Sequence, residues 1–420
     1  VIQQQLIVPP SSEVPPITRI NKMNAIPGGR VFIHDLRGKL YEIQEDNQLS
    51  VYLDLAEELP EFIDNPGKGT GFGSWAFHPE FRQNGLFYTT HFEPAGTAKA
   101  DFRVPDSIKI AMQGVLLEWK TKSPDASLFT GTKRELLRVD MAGGAHTFQE
   151  VTFNPLAVPG SSEYGLLYLG IGDASTALRG YTFLCDNKQH IWGSVIRIDP
   201  AGSNSANGQY GIPPDNPLVN DPTAVQEIWV YGFRNPHRIS WDETGSGKMF
   251  ITNIGQHSVE EVNLGKPGAN YGWPHREGDF LFDVDANREL VYPLPENDEG
   301  YTYPVVQYDH DEGSAVSGGF VYSGTNIPAL QGKYIFGDIS LGTLFYSEVS
   351  EMNDGQQAAV YRLQLAIDGK LTDMETVTGS KRVDLRIGTD VQGELYLLSK
   401  ANGGVYKVLD VIELDNSTNS

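Results

Sequence analysis

Cysteine is almost missing: Cys185 is the one example in 420 residues, which excludes an internal disulfide and a cysteine-rich zinc centre. Basic residues are scarce, with 32 Lys and Arg against 54 Asp and Glu and a formal charge of −22. No Lys/Arg run resembles a footprint for nucleic acid or an anionic membrane. No stretch of eighteen apolar residues exists to cross a bilayer as a helix. The chemistry signatures of several enzyme classes are absent too. There is no G-x-S-x-G elbow, no H-E-x-x-H zinc pattern, no phosphate-gripping G-x-x-x-x-G-K-[ST], and no dinucleotide G-x-G-x-x-G between strand and helix. Helical patterns are few, "YLDLAEELP" (52–60) being the best.

What is abundant is turn chemistry, with 45 glycines and 25 prolines, which favours many short strands over long helices. A weak repeat runs through the chain: an apolar run, a small-plus-polar loop, a second apolar run. It appears at 30–43, 86–93 with 114–120, 166–175 with 192–200, 248–265, 333–349 and 394–409. The first run is nearly continuously apolar, as in Val31-Phe32-Ile33 or Leu166-Leu167-Tyr168-Leu169, so it suits a strand covered on both faces. Six radially arranged sheets provide that double cover and leave few exposed edges. The expectation is an all-β chain, a six-bladed β-propeller with four-stranded antiparallel blades spanning 18–414. Residues 1–17 and 415–420 read as an N-terminal linker and a C-terminal tail, and 97–110 as an excursion.

Equivalent copies would bring the loops after the first runs to one face. Those loops carry Asp35, Arg37, His91, Asp173, Gln256, His257, Asp338, Ser340 and Lys400, and the connections upstream add 143–146, 232–238, 312–319 and 382–386. A polar, glycine-lined funnel of mixed charge suits a small ligand. Each residue also has a plain reading. Asp173 fits a turn bonding its own backbone, Asn235 before Pro236 fits a strand connector, His146 fits an ordinary loop, and His237 and Arg238 fit structural roles.

"GFGSWAFHPEF" (71–81), "GIGDAS" (170–175), "GFRNPHRI" (232–239), "NYGWP" (270–274) and "GKYIFGD" (332–338) resemble the soluble glucose dehydrogenase and sorbosone dehydrogenase group of quinoproteins. The likeness runs from about residue 20 to residue 409, and within the group it is nearest the quinone-dependent pyranose dehydrogenase domain of secreted fungal proteins. The resemblance implies a six-bladed propeller holding pyrroloquinoline quinone (PQQ) and calcium. It implies His146 as general base toward the sugar C1 hydroxyl. It puts Arg234, with a catalytic role of its own, and Asn235 beside the quinone carbonyls. Arg386, Ser340, Arg37 and Asp173 would be further cofactor neighbours, and Arg382 and Lys400 further cations near the carboxylates. Gly255 and Gln256 are implied as backbone calcium ligands, Glu261 and Tyr271 as holders of a second calcium. A cofactor with three carboxylates would explain why so acidic a chain concentrates arginine at 234–238.

Departures from the group are visible. Ser340 stands where bacterial members have a lysine, Asp384 where they have an arginine, and Ala145 precedes the histidine in place of an acidic residue. Sugar preference is therefore not carried over. The implied partners are a small sugar and an electron acceptor such as a cytochrome domain, with no nucleic acid and no membrane, and the chain is expected to be a monomer. The start of the chain, with neither an initiator Met nor a signal-peptide core, reads as a processed or excised protein. The sequon at Asn416 and the acidic charge suit secretion. Two other readings share the scaffold: a non-catalytic ligand-binding propeller, and a calcium-dependent lactonase-type hydrolase, which needs an Asp/Asn/Glu ring.

Overall fold

A computed structural model describes residues 1–67, 69–298 and 300–412; the Asn416 sequon and the segment 415–420 lie outside the described residues. The described chain is built on six four-stranded antiparallel sheets, with a smaller three-stranded and a two-stranded sheet beside them. The continuously apolar runs of the repeat are the second strands of these sheets. Val31–Asp35, Leu86–Pro94, Leu167–Ile171, Met249–Asn253, Lys333–Asp338 and Leu395–Ser399 are buried along almost their whole lengths. Burial on both faces is what their lack of alternation required.

Three segments read from sequence as upstream connections run into first strands, at 236–238, 316–319 and 385–386, and the fourth, 143–146, ends just before one. Phe148–Phe153, Pro236–Trp241, Val316–Val321 and Leu385–Thr389 each begin a sheet, as do Ile20–Ala25 and Ser74–Phe77. They are harder to see in sequence because they mix charged and apolar residues, as in "PHRISW" and "INKMNA". In space they pack on one another from sheet to sheet, and Lys22 Nζ donates across to the Trp75 carbonyl (2.8 Å). This arrangement is consistent with a β-propeller.

The expected N-terminal linker needs correction. Ile2–Ile7 is a strand, hydrogen-bonded antiparallel to Gly404–Val408, so the last sheet takes three strands from the C-terminal part of the chain and one from the start. Ile2 and Val8 are buried there, and covering the edge of Gly404–Val408 removes a row of unpaired backbone groups. The polar glutamines at 3–5 hid this strand from composition. The helical pattern at 52–60 yields one turn, Leu55–Glu58, capped by Asp54 accepting from Ala56 N–H. The excursion at 97–110 is irregular chain, tied to Val139 by a bridge at Phe102. No helix among the described residues is long and apolar enough to cross a membrane.

Candidate functional site

Tyr231 ends one sheet and Pro236 begins the next, so "GFRN" is the crossing between sheets, and it faces a cavity of about 590 Å³. Loops from several sheets line it: Ala145, His146 and Gln149; Arg234, Asn235 and His237; Ile254, Gly255 and Gln256; Ser314, Ala315, Ile339 and Ser340; Arg382, Asp384, Arg386 and Lys400; with Arg19 from the start of the chain. The predicted residues His146, Arg234, Asn235, Gly255, Gln256, Ser340 and Arg386 thus meet at one place. Asp173 does not line the cavity but stands directly behind His146. Arg37 is engaged elsewhere, donating to Ser11 Oγ (2.7 Å) and the Pro16 carbonyl (2.9 Å), so it secures the N-terminal segment.

His146 has a left-handed backbone, φ 54°, uncommon for a residue with a side chain and typical of sites held in place by their surroundings. Its Nδ1–H donates to Asp173 Oδ1 (3.0 Å), which leaves the lone pair of the neutral ring on Nε2. Asp173 is fully buried and accepts two further bonds, from Ser175 N–H (2.8 Å) and Trp273 Nε1–H (3.0 Å). Gly172 permits this closeness, since a Cβ there would fall 2.3 Å from the His146 carbonyl oxygen.

The Arg234 guanidinium donates through Nε and Nη2 to Gln256 Oε1 (3.0 and 2.8 Å) and through Nη1 to the Ile254 carbonyl (3.2 Å). It lies over the Trp273 ring, 5.9 Å from the centroid. Burial lowers its pKa, although Asp173, Glu260 and Glu277 act the other way. Among the described residues Asn235 Oδ1 is buried without a partner, and so is His237 Nε2; His237 Nδ1 pairs with Gln149 Oε1 (2.9 Å). The His237 imidazole is held well below its usual pKa by burial and then by Arg238, Arg386 and Lys400.

The loop after Asn253 is shaped by one carboxylate. Glu277 Oε1 accepts from four successive backbone N–H groups, Gln256, His257, Ser258 and Val259, at 2.8 to 3.0 Å. Among the described residues no donor reaches the carbonyls of Gly255 or Gln256. Gly255 is required, because a Cβ would sit 1.8 Å from the Val259 carbonyl oxygen. Glu261 and Tyr271 do not join this cavity. Glu261 is buried, its oxygens taken by Gly278 N–H (2.6 Å), Asn253 and Asn263, and its carboxyl is pushed up to about 7, mainly by burial. The Tyr271 hydroxyl donates to the Leu264 carbonyl while its ring stacks on Phe233. No group of three or more His, Cys, Asp or Glu side chains set to hold a metal occurs among the described residues.

Beneath the cavity Lys22 and Arg238 share Glu150, with Lys22 Nζ bonded to Oε1 and Arg238 Nε 3.4 Å from Oε2. Asn21 joins this layer to the cavity wall. Its carbonyl accepts from Arg238 (2.8 Å) and its Oδ1 from Arg386 Nε (2.8 Å). Sequence reasoning left His237 as structural and overlooked Arg19, Gln149, Glu277 and the part played by Trp273. The "NYGWP" motif was the available signal for Trp273; nothing local marks Arg19 or Glu277.

An all-β chain of four-stranded sheets surrounding a cationic, histidine-bearing cavity defines the class. The family model described as glucose / sorbosone dehydrogenase matches residues 18–407, so the chain belongs to that family. Among curated proteins it is 27% identical over 407 residues to the HIPL1 protein of Arabidopsis thaliana, covering 85% of this chain and 56% of that one. It spans about half the length of the curated relatives it matches. Among solved structures, the soluble aldose sugar dehydrogenase of Escherichia coli in its apo form superimposes with a TM-score of 0.66 at 18% identity, over 97% of this chain and 98% of that one. The holo pyranose dehydrogenase PQQ domain of Coprinopsis cinerea gives a TM-score of 0.57 at 12% identity, over 97% and 94%.

Proposed function

We propose that the protein is a quinoprotein oxidoreductase, a six-bladed propeller that binds PQQ and calcium and oxidises the C1 hydroxyl of an aldose or related pyranose. One observation carries the reading. In a chain of charge −22, Arg19, Arg234, Arg382, Arg386 and Lys400 line one cavity with His146, and among the described residues Asp384 is the one carboxylate on its wall. An excess of cations, all but the exposed Arg382 buried, suits a polycarboxylate.

The residues fit both groups. The undonated carbonyls of Gly255 and Gln256 offer hard oxygen ligands to calcium, in a loop steadied by Glu277. Arg234 and Asn235 would hold the carbonyl side of the quinone, with Arg386 and Ser340 on its carboxylates. When bound, the quinone supplies a hydride acceptor, and calcium supplies a Lewis acid that polarises its carbonyl. His146 accepts the hydroxyl proton at Nε2, because Asp173 retains the proton on Nδ1 and stabilises the imidazolium that forms. Arg234 places a permanent positive charge where electron density accumulates. The Ala145 and Ser340 substitutions leave the choice of sugar to this chain's own wall. The negative charge and the absence of a basic surface run support an extracellular monomer working on a free sugar, with a cytochrome domain or other external acceptor taking the electrons.

The test is a titration of the apo protein with PQQ in calcium chloride. A tight chromophore that bleaches on adding an aldose supports the reading, and failure to bind the quinone ends it. His146→Ala should keep the chromophore and lose about 10²- to 10⁴-fold in turnover.

A further inference from the structure

Lys400 is the residue that the cavity leaves unexplained. It is 5% exposed, and among the described residues no carboxylate forms an ion pair with its ammonium. The carboxylate that acts on it, Asp384, is already engaged by Arg382 at 2.9 Å. Its other charged neighbours are Arg386, Arg19 and Arg238, all of its own sign, and burial with these neighbours drives its pKa well down. Arg386 is in the same condition, with donors to Asn21 Oδ1 and the Leu385 carbonyl but, among the described residues, no carboxylate. An ammonium kept out of water without a counterion is costly unless a ligand brings the anion.

Position supports this. Lys400 follows the strand Leu395–Ser399 and Ser340 follows Lys333–Asp338, each in the loop after the second strand of its sheet, and the two sheets are neighbours. The segment 383–385 lies between them. Val383 N–H donates to the Ser340 carbonyl (2.9 Å), and Ser399 Oγ donates to the Val383 carbonyl (2.6 Å). On this wall Ser340 contributes a neutral hydroxyl, bonded to Ser314 Oγ (3.0 Å), while the charge of Lys400 comes from the neighbouring sheet.

We infer that Lys400, with Arg386 beside it, is the binding residue for a carboxylate of the cofactor, and that this anion is the counterion the buried pair lacks. The inference rests on the proposed function. Lys400→Met keeps the length of the side chain and removes the charge. In a calcium-containing titration the variant should bind PQQ about 10- to 100-fold more weakly than wild type, the scale of a charge-assisted hydrogen bond to a buried carboxylate. The trimethyl ester of PQQ, with no anionic carboxylate, should bind wild type and variant alike. The apo variant should melt at the same temperature as wild-type apo protein or above it, because an uncompensated charge has gone; a lower melting temperature would mark Lys400 as structural and overturn the inference. Equal PQQ affinity in the two proteins would overturn it as well, and leaves the proposed function standing. Wild-type protein that binds no PQQ would instead remove the functional reading itself.

Discussion

Asp173→Asn tests the proton-transfer half of the proposed reaction. Three donors converge on the Asp173 carboxylate: His146 Nδ1–H and Ser175 N–H on Oδ1, Trp273 Nε1–H on Oδ2. An amide has one acceptor, so its NH₂ must face either Trp273 or the His146 and Ser175 pair. The first choice leaves two buried donors opposed, costing about 1–3 kcal/mol of stability. The second forces the proton of His146 onto Nε2, the nitrogen that accepts one in the proposed reaction. Either way the charge that stabilises the imidazolium is lost. At about 4 Å and an effective dielectric near 20 that attraction is about 4 kcal/mol, which corresponds to roughly 10³-fold in rate. The assay is stopped-flow bleaching of the PQQ- and calcium-loaded protein by sugar across pH, with PQQ affinity measured beside it. We expect kcat to fall by about that factor and PQQ affinity to stay within a few-fold. A variant turning over within threefold of wild type would refute the coupling of Asp173 to the base.

Three further outcomes follow from the packing. Glu150→Gln leaves Lys22 and Arg238 buried without their shared carboxylate, and should lower unfolding free energy by about 3–5 kcal/mol in urea titrations; an unchanged midpoint would contradict the ion pairing. His34 is buried with its pKa held down to about 3, chiefly by burial and then by Arg238, and its Nδ1 accepts from Trp75 Nε1–H (3.1 Å). The unfolded imidazole takes up a proton near pH 6.5 while the folded one does not until about 3, so stability falls as pH drops through that window. His34→Gln should flatten the decline of melting temperature between pH 7 and 4, and identical slopes would discount the histidine. Deleting residues 1–8 strips Ile2, Leu6 and Val8 from the last sheet and should cost about 5 kcal/mol or more at roughly 1.5–3 kcal/mol per buried side chain; a truncated protein as stable as the full chain would show that the strand is dispensable.

The sequence by itself determined the class of architecture. Doubly covered strands must be apolar throughout, and that demand left a repeat readable in Val31–Ile33 and Leu167–Ile171. It also carried the motif at 232–239 and the histidine at 146, because the chemical identity of a side chain is written in the sequence whatever surrounds it. The tertiary structure decided the rest. First strands such as Pro236–Trp241 face a common centre lined by charge, so their pattern follows neighbours on other sheets and no local period reveals it. The strand Ile2–Ile7 gains its meaning from a partner some four hundred residues away. The burial of Lys400 among arginines, the service of Arg37 to the N-terminal segment and the grip of Glu277 on four amides are relations between distant segments. Electrostatics and hydrogen bonding depend on distance in space, and a chain written in one dimension does not contain it.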